Sequence, residues 1–144
     1  MANDNTNAPT LFEFEQDIAL QEAPQPLPIG AYRGVVRNVV AAPGKKNPEY
    51  FNAEVTFMVS ADQYPVDFTE GDPDGMTLRF YVSLANKPGA RYALKGFCQA
   101  IQAPMGRQID LTAWLGLEAM IRVEHEEYEG RMMARIGRNG ITPA

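Results

Sequence analysis

Cysteine, histidine and tryptophan occur once each in a chain of 144 residues, and each scarcity removes a class of chemistry. A lone Cys98 builds no disulfide framework, so a reducing cytoplasm is the simplest compartment. A catalytic thiol needs a base beside it, and the one imidazole, His125, stands among Glu124, Glu126 and Glu127, where it reads as a solvated strand-end residue. Cys98 therefore reads as a buried structural thiol. The chain has no glycine-rich phosphate loop, no Cys and His metal spacing and no nucleophile elbow. Glu126 and Glu129 lie on an acidic turn without the desolvation that separates carboxylate pKa values. Catalysis is not expected, and neither is a cofactor. No apolar run approaches 18 residues, and Met1-Ala-Asn-Asp-Asn-Thr-Asn7 has neither the basic nor the apolar part of a signal peptide. The expectation is a soluble, unprocessed chain without a membrane partner.

Basic residues are absent from the first 29 positions. The formal net charge of −5 weighs against a nucleic-acid partner, because Lys and Arg dominate phosphate binding. Yet Asp4, Glu13, Glu15, Asp17 and Glu22 all precede Gly30, so that segment carries the whole excess and 13 basic residues face 13 acidic ones in the remainder. The later acids gather in 67–74 and 124–129, which leaves room for a local basic face.

Residues 1–28 read as an acidic arm. Ala23-Pro-Gln-Pro-Leu-Pro28 forbids a helix and favours an extended connector. The apolar group Leu11, Phe12, Phe14 and Ile18 has two readings, docking onto the domain or a second copy, or a disordered acidic tail. The domain proper is expected over 29–138, with 139–144 as a short tail. Its first strand is Gly30 to Val40, in which Gly34 would permit a bulge, followed by a loop with the adjacent lysines 45 and 46. Tyr50 to Ser60 carries the clearest alternation, Phe51, Ala53, Val55, Phe57 and Val59 against Tyr50, Asn52, Glu54, Thr56 and Met58. Residues 61–75 hold two prolines, two glycines and five acids and read as a solvated hairpin connection; Asp72 and Asp74 lack the remaining ligands of a calcium loop. The third strand is Met76 to Ser83. After Asn86-Lys-Pro-Gly89 the period changes, and Tyr92, Leu94, Phe97, Cys98 and Ile101 mark one amphipathic helix. Ile109 to Gly116, with a buried Trp114, closes onto the core; Leu117 to His125 and Arg131 to Gly137 form the last hairpin across the turn Glu126-Glu-Tyr-Glu-Gly130.

Three strands, a helix and two strands, without βαβ alternation, make an all-β fold with one helix in the element order of a five-stranded OB-fold barrel. Phe51, Phe57, Leu78, Phe80, Ile121 and Val123 would fill the barrel while the helix plugs one end. The opposite face would gather Tyr50, Arg79 and Tyr81, with Arg33, Arg37, Lys45, Lys46 and Lys87 around them. Aromatic rings between cations suit a single strand, whose bases stack while its phosphates are neutralised. The plainer reading makes Tyr50 and Tyr81 a cross-strand pair that stabilises the sheet, with Arg79 solvating it.

At these residues the chain resembles the small phage-type single-stranded DNA-binding proteins of OB fold found in replication and recombination modules. The resemblance spans 27–137 and is carried by Leu27-Pro-Ile-Gly-Ala-Tyr32, Tyr50-Phe-Asn-Ala-Glu-Val-Thr-Phe57, Leu78-Arg-Phe-Tyr-Val82, Leu115-Gly-Leu-Glu-Ala-Met-Ile-Arg-Val123 and the Glu127-Tyr-Glu-Gly130 hairpin. It implies a non-enzymatic protein that coats single-stranded DNA without sequence preference in the cytoplasm of a bacterial host, alongside replication or recombination proteins. Many such proteins end in an acidic partner-recruiting tail, whereas this chain ends in Ile141-Thr-Pro-Ala144 and carries its acids at the other end. The alternative is an OB-like interaction module of a phage assembly that binds no nucleic acid and docks through the arm.

Overall fold

Strand alternation and one change of period build a single antiparallel sheet and one helix. The computed structural model describes residues 8–144. The strands are β1 (Gly30–Pro43), β2 (Phe51–Val59), β3 (Met76–Ser83), β4 (Glu118–Tyr128) and β5 (Arg131–Pro143), and α1 spans Pro88–Ile101. They lie in the order β3-β2-β1-β4-β5. The expected barrel is not closed: β3 and β5 approach one another, but no ladder joins them.

β1 serves two neighbours. Gly30 to Val35 pair with β4, and Gly34 to Pro43 pair with β2. The register slips between Val36 and Asn38, so Arg37 is the additional residue of a bulge and the inward side changes from Tyr32, Gly34 and Val36 to Val39. The bulge thus falls three residues beyond the glycine expected to allow it. β5 also bulges, since Val123 pairs with Ile136 while Ile121 pairs with Ile141. Beyond that irregularity β5 continues to Pro143, so residues 139–143, which read as tail, complete the ladder against Met120 and Ala119. The β4–β5 turn places Glu129 (φ 50°) and Gly130 (φ 79°) in the left-handed region, the backbone of a two-residue hairpin turn.

The core lies between the curled sheet and α1. Ala53, Val55, Phe57 and Val59 of β2 and Ala119, Ile121 and Val123 of β4 are fully buried. α1 begins at Pro88, which lacks the N–H a first-turn residue leaves unused anyway. It stops at Gln102, whose left-handed backbone (φ 57°) lets Ala103 N–H donate to the Cys98 carbonyl at 2.8 Å. The helix packs on β3, β4 and β5 and so bridges the two edges of the sheet. Its Phe97 stacks on Phe80 with ring centroids 5.8 Å apart, meets Phe57 edge-on at 6.4 Å and tilts against Trp114 at 5.1 Å. Asp110 caps the short turn Leu111–Trp114 by accepting from the Thr112 hydroxyl at 2.7 Å and N–H at 3.0 Å. Those two bonds hold its carboxyl below the usual range. Cys98 is buried, and desolvation raises its thiol pKa.

Three side chains depart from the expected pattern. Phe51, expected inside, is 50 % exposed, because the inward stripe of β2 begins at Ala53. Tyr92, expected on the packed face of α1, is 77 % exposed; Phe97, Cys98, Ala100 and Ile101 in the later turns do the packing. His125 is partly buried and its Nε2 lies 2.9 Å from the Leu27 carbonyl oxygen, so it fastens the end of the arm to β4. Tyr32 does the same from β1, donating its hydroxyl to the Pro28 carbonyl at 2.7 Å. Leu27 itself is buried in the core.

Trp114→Ala should lower stability by about 3–5 kcal/mol, the usual cost of emptying a large core site, whereas Tyr92→Ala should stay within about 0.5 kcal/mol; chemical denaturation of both variants checks this. His125→Ala removes one anchoring hydrogen bond, worth about 1 kcal/mol. The measurable result should be faster proteolysis between Glu22 and Ile29, with cleavage elsewhere unchanged.

Candidate functional site

Cross-strand register determines what the outer face of the sheet presents. Glu54 of β2 pairs with Tyr81 of β3, Thr56 with Arg79, and Asn52 with Ser83. Tyr50 lies just before β2, in the loop that returns from β1. That loop is closed by Gly44 N–H donating to the Tyr50 carbonyl at 2.8 Å and Tyr50 N–H donating to the Asn47 carbonyl at 3.2 Å. Folding the loop back this way sets Tyr50, Lys45 and Lys46 beside Tyr81, and together they line a groove of about 510 Å³ whose remaining lining includes Asn52 and Ser83. Lys87, in the connection from β3 to α1, holds its Nζ 4.7 Å from the Tyr50 ring centroid, an arrangement in which the ring quadrupole attracts the ammonium.

Tyr81 is 55 % exposed, its cross-strand partner is a carboxylate, and it makes no aromatic contact with Tyr50. The cross-strand aromatic pair considered from the sequence therefore does not form. The two rings line the same groove. Glu54 lines the same groove and takes an ion pair from Arg79, with Nη1 3.3 Å from Oε1.

The structure divides the sequence-selected residues into two groups. Lys45, Lys46, Tyr50 and Tyr81 line the groove, Lys87 lies over the Tyr50 ring, and Arg79 is alongside. Arg33 does not join them. It lies at the opposite end of β1, where its backbone N–H donates to the Gln63 side chain at 2.7 Å and its Nε lies 3.7 Å from Glu118. Arg37 is exposed at the β1 bulge, away from the residues lining the groove.

Compared with known proteins, the chain matches no family model and no curated sequence. The site must be read from its own geometry. Among the described residues no helix is long and apolar enough to cross a membrane.

Two cations escaped sequence reasoning. Arg135 and Arg138 of β5 line a second cleft of about 400 Å³ with Arg79 and Tyr81, in the gap between the sheet edges. Tyr81 borders both depressions, so cations of β5 and of the β1–β2 loop lie on either side of its ring. Arg135 is partly engaged by Glu126 at 3.1 Å. Its strand lies far along the chain from β3, and only the curl of the sheet brings the two together.

In this pair Arg79 is exposed and Glu54 partly buried, and a pair open to solvent on one side contributes about 0–1 kcal/mol. Arg79→Ala should therefore cost less than about 1 kcal/mol of folding stability and Tyr81→Ala about 0.5 kcal/mol or less, as read from urea midpoints. A larger loss in both would mean that these residues serve the sheet itself.

Proposed function

We propose that the chain is a single-stranded DNA-binding protein that coats the strand without sequence specificity, through base stacking on Tyr50 and Tyr81 and phosphate contacts from the surrounding cations. The observation that carries this reading is the sharing of one groove by two tyrosines, unpaired with each other, and Lys45 and Lys46, with Lys87 over the Tyr50 ring beside it. Stacking on an aromatic face is worth about 1–3 kcal/mol per base and tolerates every base. Lysines on a loop neutralise phosphates as point charges without reading base edges. The track continues along Arg79, Arg135 and Arg138.

The same reading takes the fold as an OB barrel opened at one seam. The strand order β3-β2-β1-β4-β5 is that of a five-stranded OB barrel cut between its third and fifth strands, and such barrels are often partly open. Ligands of this fold lie across strands 2 and 3 between the β1–β2 and β4–β5 loops. In this chain those positions hold Glu54 and Tyr81, the Lys45-Lys46 loop, and a hairpin carrying Tyr128 and Arg131. The phage-type resemblance of residues 27–137 supports a role in DNA replication or recombination. An interaction module without nucleic acid is the competing reading, and the exposed arm favours it.

Titration of fluorescent oligo-dT at rising salt separates the two. Affinity should fall with a log–log slope of about −0.7 per neutralised phosphate, and the Lys45→Ala, Lys46→Ala double variant should flatten that slope by about 1.4. Tyr81→Ala should weaken binding by about 1–3 kcal/mol; Arg33→Ala should leave it unchanged. No binding at low salt by the folded protein would exclude the proposal.

A further inference from the structure

Within one protomer the described part of the arm, residues 8–26, buries almost nothing. Leu11, Phe12, Phe14, Ile18 and Leu20 are 64–85 % exposed, and none of them packs against the core cluster. Glu13, Glu15, Asp17 and Glu22 are interleaved with them, and no basic residue accompanies them. An apolar set of this size on a soluble surface marks a docking segment.

A third groove, of about 630 Å³, lies between α1 and the segment that follows it. Leu84, Leu94, Met105 and Ile109 supply its apolar lining, and Arg91, Lys95 and Arg107 supply its charge. It differs from the other two depressions in composition: Glu54 lines the first and Glu126 the second, whereas no carboxylate lines this one. Among the described residues none of its three cations takes part in an ion pair, and Arg91 donates only to the neutral Asn86 side chain, at 2.7 Å. The groove thus offers an apolar floor and unneutralised positive charge, and the arm offers apolar anchors and unneutralised negative charge.

We propose that the acidic, apolar arm of one copy, residues 11–22, docks in the α1 groove of a second copy. Reach permits exchange between copies, and the exposure of the arm on its own domain favours it. Extended chain advances about 3.1 Å per residue and the 3-10 turn at Ile18–Leu20 about 2 Å per residue, so Ile18 lies up to about 26 Å and Leu11 up to about 47 Å from the anchored Leu27. A domain of this size has a radius of gyration of only about 14 Å. The arm clears its own domain, and its side chains stay exposed there although the groove stands open. Docking buries Phe12 and Phe14 as aromatic anchors and sets Glu13, Glu15 and Asp17 against Arg91, Lys95 and Arg107. The proposal is independent of DNA binding.

The test is the molar mass of the full chain by light scattering across a concentration series, for the wild type, for Phe12→Ser with Phe14→Ser in the arm, and for Arg107→Glu with Lys95→Glu in the groove. All substituted positions are exposed, so circular dichroism should show unchanged folding. The wild type should assemble with rising concentration, and each double variant should shift the midpoint upward by about tenfold or more, the effect of losing one good anchor. An equimolar mixture of the two variants should assemble better than either alone, because an intact arm then meets an intact groove. Four results would overturn the proposal: a wild type monomeric throughout, assembly indifferent to both variants, a mixture no better than its components, or an arm variant that alters proteolysis of the arm without altering mass, which would place the arm on its own domain.

Discussion

The sheet depends on β1 pairing with two strands at once, and that pairing depends on a residue without a side chain. Gly34 is opposite Val59 on one side and Ala119 on the other, at the point where β1 passes from β4 to β2. A Cβ there would lie 3.2 Å from the Ile121 Cδ1 and 3.2 Å from the Phe57 Cβ, so the two largest inward residues of the flanking strands close over the bare backbone. Overpacking such a point costs about 1–3 kcal/mol. With Gly34 in place the sheet curls tightly, and the bulge at Arg37 adds local twist. The curl brings β3 toward β5, gives α1 two edges to bridge, and creates the depressions around Tyr81.

The parts of this arrangement that were legible in the sequence are those governed by an unbroken period. Residues 53–59 alternate without interruption and are buried as written; so do Ala119, Ile121 and Val123. Phe97, Cys98 and Ile101 share a helical face, and Trp114 is the large residue of a segment too short to bury anything else. Legibility fails where the period is broken or where an element outruns its cover. The bulge at Arg37 reverses the faces of β1 midway, and Gly137 and Gly140 hide the continuation of β5, because glycines carry no hydropathy signal. A Cβ on Gly140 would meet the Gly137 carbonyl oxygen at 2.9 Å, so the same glycines that obscure the strand make its bend possible. Phe51 and Tyr92 obey their periods but lie beyond the reach of the core. Periodicity gives orientation, and burial also needs a neighbour.

The candidate site was legible to a different degree. Tyr81 and Arg79 follow from the outward phase of β3, and Lys45 and Lys46 from their loop. Arg33 shares the polar side of β1 with nothing in the groove, because about 33 Å of extended chain separates it from Pro43 at the far end of the strand, and sequence phase carries no information about position along that length. Arg135 and Arg138 have the complementary difficulty. They belong to the last strand, and only the approach of the sheet edges places them beside β3.

The segment from Ser83 to Lys87 divides the outer groove from the α1 groove, since Ala85 lines both. Leu84 N–H donates to the Phe51 carbonyl at 2.8 Å, Ala85 N–H to the Ser83 hydroxyl at 3.2 Å, and Lys87 N–H to the Ala85 carbonyl at 2.9 Å. One of these bonds ties the wall to β2 and the other two brace it internally, so the wall is a fixed rather than a two-state element. Coupling between sites requires an element with two states that both ligands bias. A fixed wall transmits little, so an arm seated on one side and a nucleic-acid strand on the other would be held at the same time by the same protomer. In the proposed assembly the acidic charge would also fall where it does not oppose phosphate, because Arg91, Lys95 and Arg107 are not among the cations of the outer groove. Neutralised there, the arm ceases to repel a polyanion approaching Lys45 and Lys46. Docked as proposed, the arm would reconcile the net charge of −5 with a basic binding track, because the excess acid lies in the segment before Gly30.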